Sequence, residues 1–106
     1  MTGFESRHRT LRKMGYGGYT SYKKSSLWKK LSNDVLRKAK HRCARCHGRA
    51  TQVHHRDYDE ATLRGEDLSK LVPLCRECHE FISLDGRRHR TLQESNALID
   101  RVDSQL

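Results

Sequence analysis

Two short runs, R-C-A-R-C-H-G at residues 42–48 and L-V-P-L-C-R-E-C-H at residues 71–79, decide how this chain folds, with V-H-H-R-D at residues 53–57 between them. All four cysteines, Cys43, Cys46, Cys75 and Cys78, lie in the two C-x-x-C pairs. Each pair needs only a short turn to aim two sulfurs at one ion, and soft thiolates suit zinc. The 28 residues between Cys46 and Cys75 leave room for the chain to return, so the spacing predicts one tetrahedral, four-sulfur structural Zn²⁺ site. Such a site adds its binding free energy to folding.

Two disulfides are the alternative use of four cysteines, in an oxidising compartment. The opening M-T-G-F-E-S-R-H-R lacks the apolar stretch of a secretory signal, and no segment approaches the length of a membrane span. A reducing, cytoplasmic setting is therefore expected, with no membrane partner, and there paired C-x-x-C motifs favour metal. Both knuckles also match C-x-x-C-H, the attachment pattern of c-type haem. That pattern normally accompanies export and accounts for neither His54-His55 nor the basic N-terminal charge.

The chain has 106 residues, enough for one small domain. Hydrophobic residues make up 34% and charged residues 33%, so the core is thin and a metal staple is useful. The net charge of +9 is concentrated: residues 1–42 hold 12 Lys/Arg against 2 acidic residues, and residues 43–106 hold 10 against 11. Such asymmetry predicts attraction to phosphate, through a nucleic-acid arm on a neutral module or through a plain solvated tail.

Residues 1–24 show no helical or strand period and read as a flexible or partly ordered basic arm, followed by a domain at residues 25–106. Tyr16, Tyr19 and Tyr22 alternate there with glycines and are candidates to stack on bases or to pack loosely on the domain. Arg12, Lys13, Lys23, Lys24, Lys29 and Lys30 are the candidate nucleic-acid contacts. Ser25 or Ser26 is expected to cap a helix running to about Lys40, with Leu27, Trp28, Leu31, Val35, Leu36 and Ala39 on one face. Trp28 reads as a core anchor.

Gly48 is expected to turn the chain back after the first knuckle, with strands before and after it forming a hairpin. Thr51 and Val53 make residues 50–55 a strand candidate. Residues 56–70 are polar, with Gly65 as a turn signal. A short helix over residues 78–84 should face Phe81, Ile82 and Leu84 inward and end at Asp85-Gly86. Thr91 and Glu94 fit a capping box for a closing helix whose stripe is Leu92, Leu98, Ile99 and Val102. These elements predict a small α+β fold. Adjacent strand residues point to opposite faces, so His54 and His55 can serve different parts of one site. They are also readable as surface neighbours or as further zinc ligands.

Residues 22–82 resemble an HNH endonuclease of the zinc-containing ββα-metal kind. The stretches that carry the resemblance are S-S-L-W-K-K-L at residues 25–31, the two knuckle runs, and V-H-H-R at residues 53–56, in the family's order and approximate spacing. The resemblance implies a treble-clef-like ββα-metal domain, zinc-stapled and flanked by an N-terminal and a C-terminal helix. It also implies hydrolysis of DNA in a bacterial or phage setting. His54 and His79 become ligands of a second, catalytic divalent metal (Mg²⁺, Mn²⁺, Ni²⁺ or Zn²⁺), and His55 the general base. The family's middle asparagine, which orients the loop carrying the base, is replaced here by Lys70.

Arg56 is placed next to the base either to brace the phosphate or to sit as a surface arginine. Asp57 and Asp59 read as a solvated loop or as outer support for the metal. His8, His41, His47 and His89 read as non-catalytic. The alternatives to a nuclease are a non-catalytic zinc-ribbon module that binds nucleic acid and a zinc-stapled interaction module.

Overall fold

A computed structural model describes the backbone of residues 3–105 and the side chains of residues 7–100. In chain order the elements are α1 (Gly3–Lys13), α2 (Tyr19–Lys23), α3 (Ser26–Lys38), β1 (Gln52–His55), α4 (Glu60–Arg64), β2 (Leu71–Leu74), α5 (Arg76–Ser83), β3 (Leu84–Asp85), β4 (Arg88–His89) and α6 (Leu92–Gln105). Two small antiparallel sheets result, β1 with β2 and β3 with β4. Among the described residues, no helix is long and apolar enough to cross a membrane.

Helix α3 starts where its sequence requires. The Ser25 side chain accepts the Trp28 N–H at 3.1 Å, satisfying one of the donors that a helix leaves open at its N-terminus. Leu31, Val35 and Leu36 are buried on its inner face. At the other end of the chain the Thr91–Glu94 capping box closes as expected: the Thr91 N–H reaches Glu94 Oε1 at 2.9 Å, and the Glu94 N–H reaches Thr91 Oγ1 at 3.1 Å. Ile99 is buried and Leu98 partly so. The Val102 side chain lies outside the described residues.

Strand β1 does not pair across the first knuckle as a hairpin. Only an isolated bridge, Arg42 with Arg49, closes the knuckle. The partner of β1 is β2, in a register that sets His54 opposite Val72 and His55 opposite Leu71. Four residues of strand need a partner of matching length, and the apolar run L-V-P-L supplies one that the tight knuckle turn cannot. Helix α5 follows β2 directly. Ile82 is buried as expected, but Phe81 is exposed, at 46%, and Leu84 belongs to the β3–β4 hairpin.

Residues 1–24 differ most from expectation. Helices α1 and α2 occupy this segment, and Leu11 and Tyr22 are fully buried against Leu63 of α4. The Tyr22 hydroxyl donates to the Leu63 carbonyl at 2.9 Å. Tyr16, Tyr19 and Tyr22 pack on one another rather than standing free, with ring centroids 5.6 and 6.0 Å apart. Trp28 touches both this cluster and the main core around β1, β2 and α5, and so joins them.

Gly65 ends α4 in the left-handed region, at φ +81°. A Cβ there would lie 2.2 Å from the Leu31 Cδ2 atom, inside any van der Waals contact. Gly65→Ala therefore combines backbone strain with overpacking of a buried leucine and is expected to lower stability by about 3 kcal/mol. Thermal denaturation checks this: a melting temperature equal to that of the wild type would show that α4 can shift away from α3.

Candidate metal centre and histidine cleft

The four cysteine sulfurs lie within 4.8 Å of one another. Cys46 Sγ and Cys75 Sγ are 3.7 Å apart, close to the edge of about 3.8 Å for a tetrahedron with zinc–sulfur bonds of about 2.3 Å. The first knuckle is held by the Cys43 N–H on the Gly48 carbonyl at 2.7 Å and the His47 N–H on the Cys43 carbonyl at 3.0 Å. The left-handed residue of this turn is His47, at φ +67°, and not Gly48. Gly48 instead brings its N–H to Cys46 Sγ at 3.4 Å. His47 is exposed.

Backbone donors converge on the sulfurs. The N–H groups of Arg45 and Cys46 point at Cys43 Sγ, at 3.4 and 3.5 Å, and that of Cys78 points at Cys75 Sγ at 3.3 Å. Burial opposes ionisation of Cys43, yet the N–H groups of Cys46, Cys75 and Arg45 outweigh it and pull the thiol down to about 6. Burial pushes the Cys78 thiol the other way, up to about 12. Four thiolates this close repel one another unless a cation sits among them, so the donor set fits a structural zinc. Among the described residues this is the one group of three or more metal-ligating side chains close enough to hold an ion.

The second knuckle also builds α5. Cys75 is the N-cap of that helix, and the His79 N–H bonds the Cys75 carbonyl at 3.0 Å, one turn on. The cluster that fixes Cys75 thereby fixes His79.

Strand β1 carries the other two histidines, and alternation separates them as expected. His54 faces α5, with its ring centroid 5.8 Å from that of His79. Gln52, two residues earlier on the same face, places its Oε1 2.6 Å from His79 Nδ1. An acceptor there requires Nδ1–H on His79 and leaves its Nε2 as a ligand atom. His55 points the opposite way, toward α2 and α3. Its ring stacks with Trp28 at 4.5 Å and Tyr58 at 5.2 Å, and its Nδ1 lies 3.0 Å from the Tyr19 hydroxyl. His54 and His55 are 7% and 1% exposed, and the Nε2 atom of each is buried with no hydrogen-bond partner among the described residues.

Burial holds all three rings neutral. His54 is lowered to about 4 by burial and then by His79, with Asn96 acting in the opposite direction. His55 is lowered to about 3, again by burial first, then by His54 and by the cations Arg7 and Lys23. His79 is lowered by burial and Lys23. The three line one cleft of about 1310 Å³, whose walls also carry Arg7, Lys23 and Arg90.

Of the six basic residues expected to contact nucleic acid, Lys23 lines this cleft, and Arg12, Lys13, Lys24, Lys29 and Lys30 do not. Lys13 pairs with Glu60 at 3.1 Å. Arg56, expected near a phosphate, does not line the cleft. Its guanidinium bonds both carboxylate oxygens of Asp100 on α6, at 2.8 and 2.9 Å, tying the end of β1 to the closing helix. Lys70 supports the loop after the histidine pair by charge, with Nζ 3.6 Å from Asp57 and 3.4 Å from Asp59. Its carbonyl accepts the Arg56 N–H at 2.8 Å.

Asn96 on α6 donates to the Arg56 carbonyl at 2.9 Å, so an asparagine does reach this loop, from a different element. Gln52 was detectable from its period-two spacing with His54. Arg7, Tyr19, Arg90 and Asn96 arrive from distant segments with no local signal, and Tyr58 comes from the polar loop just after β1. No family model, curated protein or solved structure matches the chain.

The purified chain is expected to carry one zinc, read by elemental analysis. Cys78→Ser is expected to lose the metal together with most of the helical circular dichroism, because a three-thiolate site binds far more weakly. An unchanged far-ultraviolet spectrum after complete metal removal would rule out a structural role for the cluster.

Proposed function

We propose that the chain is a metal-dependent HNH endonuclease of the ββα-metal kind that hydrolyses phosphodiester bonds of DNA. The observation that carries this reading is that three imidazoles line one cation-bearing cleft, two of them with buried Nε2 atoms that have no hydrogen-bond partner among the described residues. The order β1, β2, α5 supports it, because two antiparallel strands and the following helix present the histidines. The positive charge of the cleft adds attraction for a polyanion.

His54 and His79 would hold the divalent metal, Mg²⁺, Mn²⁺, Ni²⁺ or Zn²⁺. When bound, that ion would polarise the scissile phosphate and stabilise the departing oxygen. Gln52 orients His79 toward the role by occupying its Nδ1. His55, neutral near pH 7, takes the proton of the water that attacks phosphorus, and the phosphodiester bond to the departing oxygen breaks. Arg7, Lys23 and Arg90 draw the phosphate backbone toward the cleft wall. Arg56 keeps the end of β1 in place through Asp100.

The enclosure of His55 by aromatic rings favours a second reading, a non-catalytic zinc module that binds nucleic acid through the same cleft. A plasmid-nicking assay across the four metals separates the two. His55 packs against Trp28 and Tyr58, so the variant of choice is His55→Gln, which keeps a polar side chain of useful size where alanine would leave a cavity. It is expected to retain zinc and fold while cleaving at least about 100-fold more slowly. Wild-type rates in this variant would remove His55 from the chemistry; DNA binding by the wild type without nicking in any metal would establish the second reading.

A further inference from the structure

The general base is enclosed by a segment that lies some thirty residues away in sequence. Helix α2 brings the Tyr19 hydroxyl to 3.0 Å from His55 Nδ1, its hydrogen-bond partner among the described residues. Tyr58, on the loop after β1, meets the Tyr19 ring edge-on at 5.5 Å and stacks on His55. Arg7 of α1 lies 4.6 Å over the Tyr19 ring and 4.7 Å over that of Tyr58, which ties α1 to the same pair. Helices α1 and α2 therefore form one wall of the site.

A neutral imidazole carries its proton on one nitrogen only. To accept a proton from water at Nε2, His55 must hold its own on Nδ1, and that N–H needs an acceptor. The Tyr19 oxygen has a lone pair for it, provided its own proton is directed elsewhere. Burial raises the Tyr19 phenol far above its ordinary range, with Tyr58 acting in the same direction, so Tyr19 stays a phenol throughout.

We propose that Tyr19 is a positioning residue: its hydroxyl accepts the Nδ1 proton of His55 and so keeps Nε2 free of a proton. On this basis the N-terminal helices belong to the active site, and the cleft is incomplete without them. The proposal rests on the nuclease function argued above. It concerns the tautomer and orientation of the ring, which can be read without any cleavage.

The test uses the full chain labelled with ¹⁵N. Long-range proton–nitrogen spectra, with His55→Gln used to assign the resonance, should find wild-type His55 in the single Nδ1–H tautomer. Tyr19→Phe keeps the ring and its stacking. It should turn His55 into a mixture of tautomers and reduce kcat for plasmid nicking roughly tenfold to hundredfold, with KM unchanged. Lys23→Ala serves as the contrast, because a phosphate contact should raise KM instead.

A wild-type His55 protonated on Nε2 overturns the proposal with no variant needed. So does a Tyr19→Phe protein in which tautomer and kcat fail to change together. Absence of cleavage by the wild type would count against the nuclease function and leave the tautomer result standing, so the two failures are distinguishable.

Discussion

Four sulfurs held within 4.8 Å are the constraint on which the rest of this small structure depends. The first knuckle is closed by a single isolated bridge, and the second is the first turn of α5. Joining them pins β2 and α5 to the end of α3. A chain with one-third charged residues buries too little apolar surface to do this by packing alone. A cation bound there would neutralise four mutually repelling thiolates and would supply the missing free energy. It also places His79, which follows the N-cap cysteine by one helical turn.

The second organising feature is the two-sided burial of β1. One face meets α5 through Gln52 and His54, and the other meets α2 and α3 through Val53 and His55. A strand that would usually bury apolar side chains carries imidazoles on both sides, and desolvation keeps them neutral. Neutral rings are the form that ligates metal or accepts a proton. Buried Nε2 atoms without partners are unfavourable for folding, and groups of that kind persist where binding or chemistry uses them. Trp28 makes the arrangement possible, joining the core around the strands to the cluster of Leu11, Tyr22 and Leu63 while stacking on His55.

The departures from sequence expectation have physical causes. Helix α1 places just one side chain, Leu11, in the core among its described residues, so no apolar period marks it; it is held by contacts with Tyr22 and Leu63 from elsewhere in the chain. Phe81 was expected inside because it sits in an apolar run. Helix geometry instead turns it outward, where Arg45 lies 4.2 Å over its ring. The left-handed turn after Cys46 is taken by His47, while Gly48 points its N–H at the Cys46 sulfur. Arg56 went to Asp100 because α6 runs beside the end of β1, a neighbourhood invisible in a sequence separation of 44 residues.

What the sequence by itself determined is everything set by short-range spacing: the two cysteine pairs, the serine cap of α3, the capping box of α6, and a histidine pair divided between two faces of a strand. Those features depend on a few consecutive residues and on backbone geometry common to all chains. Tertiary structure alone decided that the N-terminal segment would be helical and packed, that β1 would pair with β2, and that Tyr19, Arg7 and Asn96 would reach the histidine loop. Each of these requires closing a long loop. The free energy that closes it comes from burial summed over distant side chains, which no local pattern records.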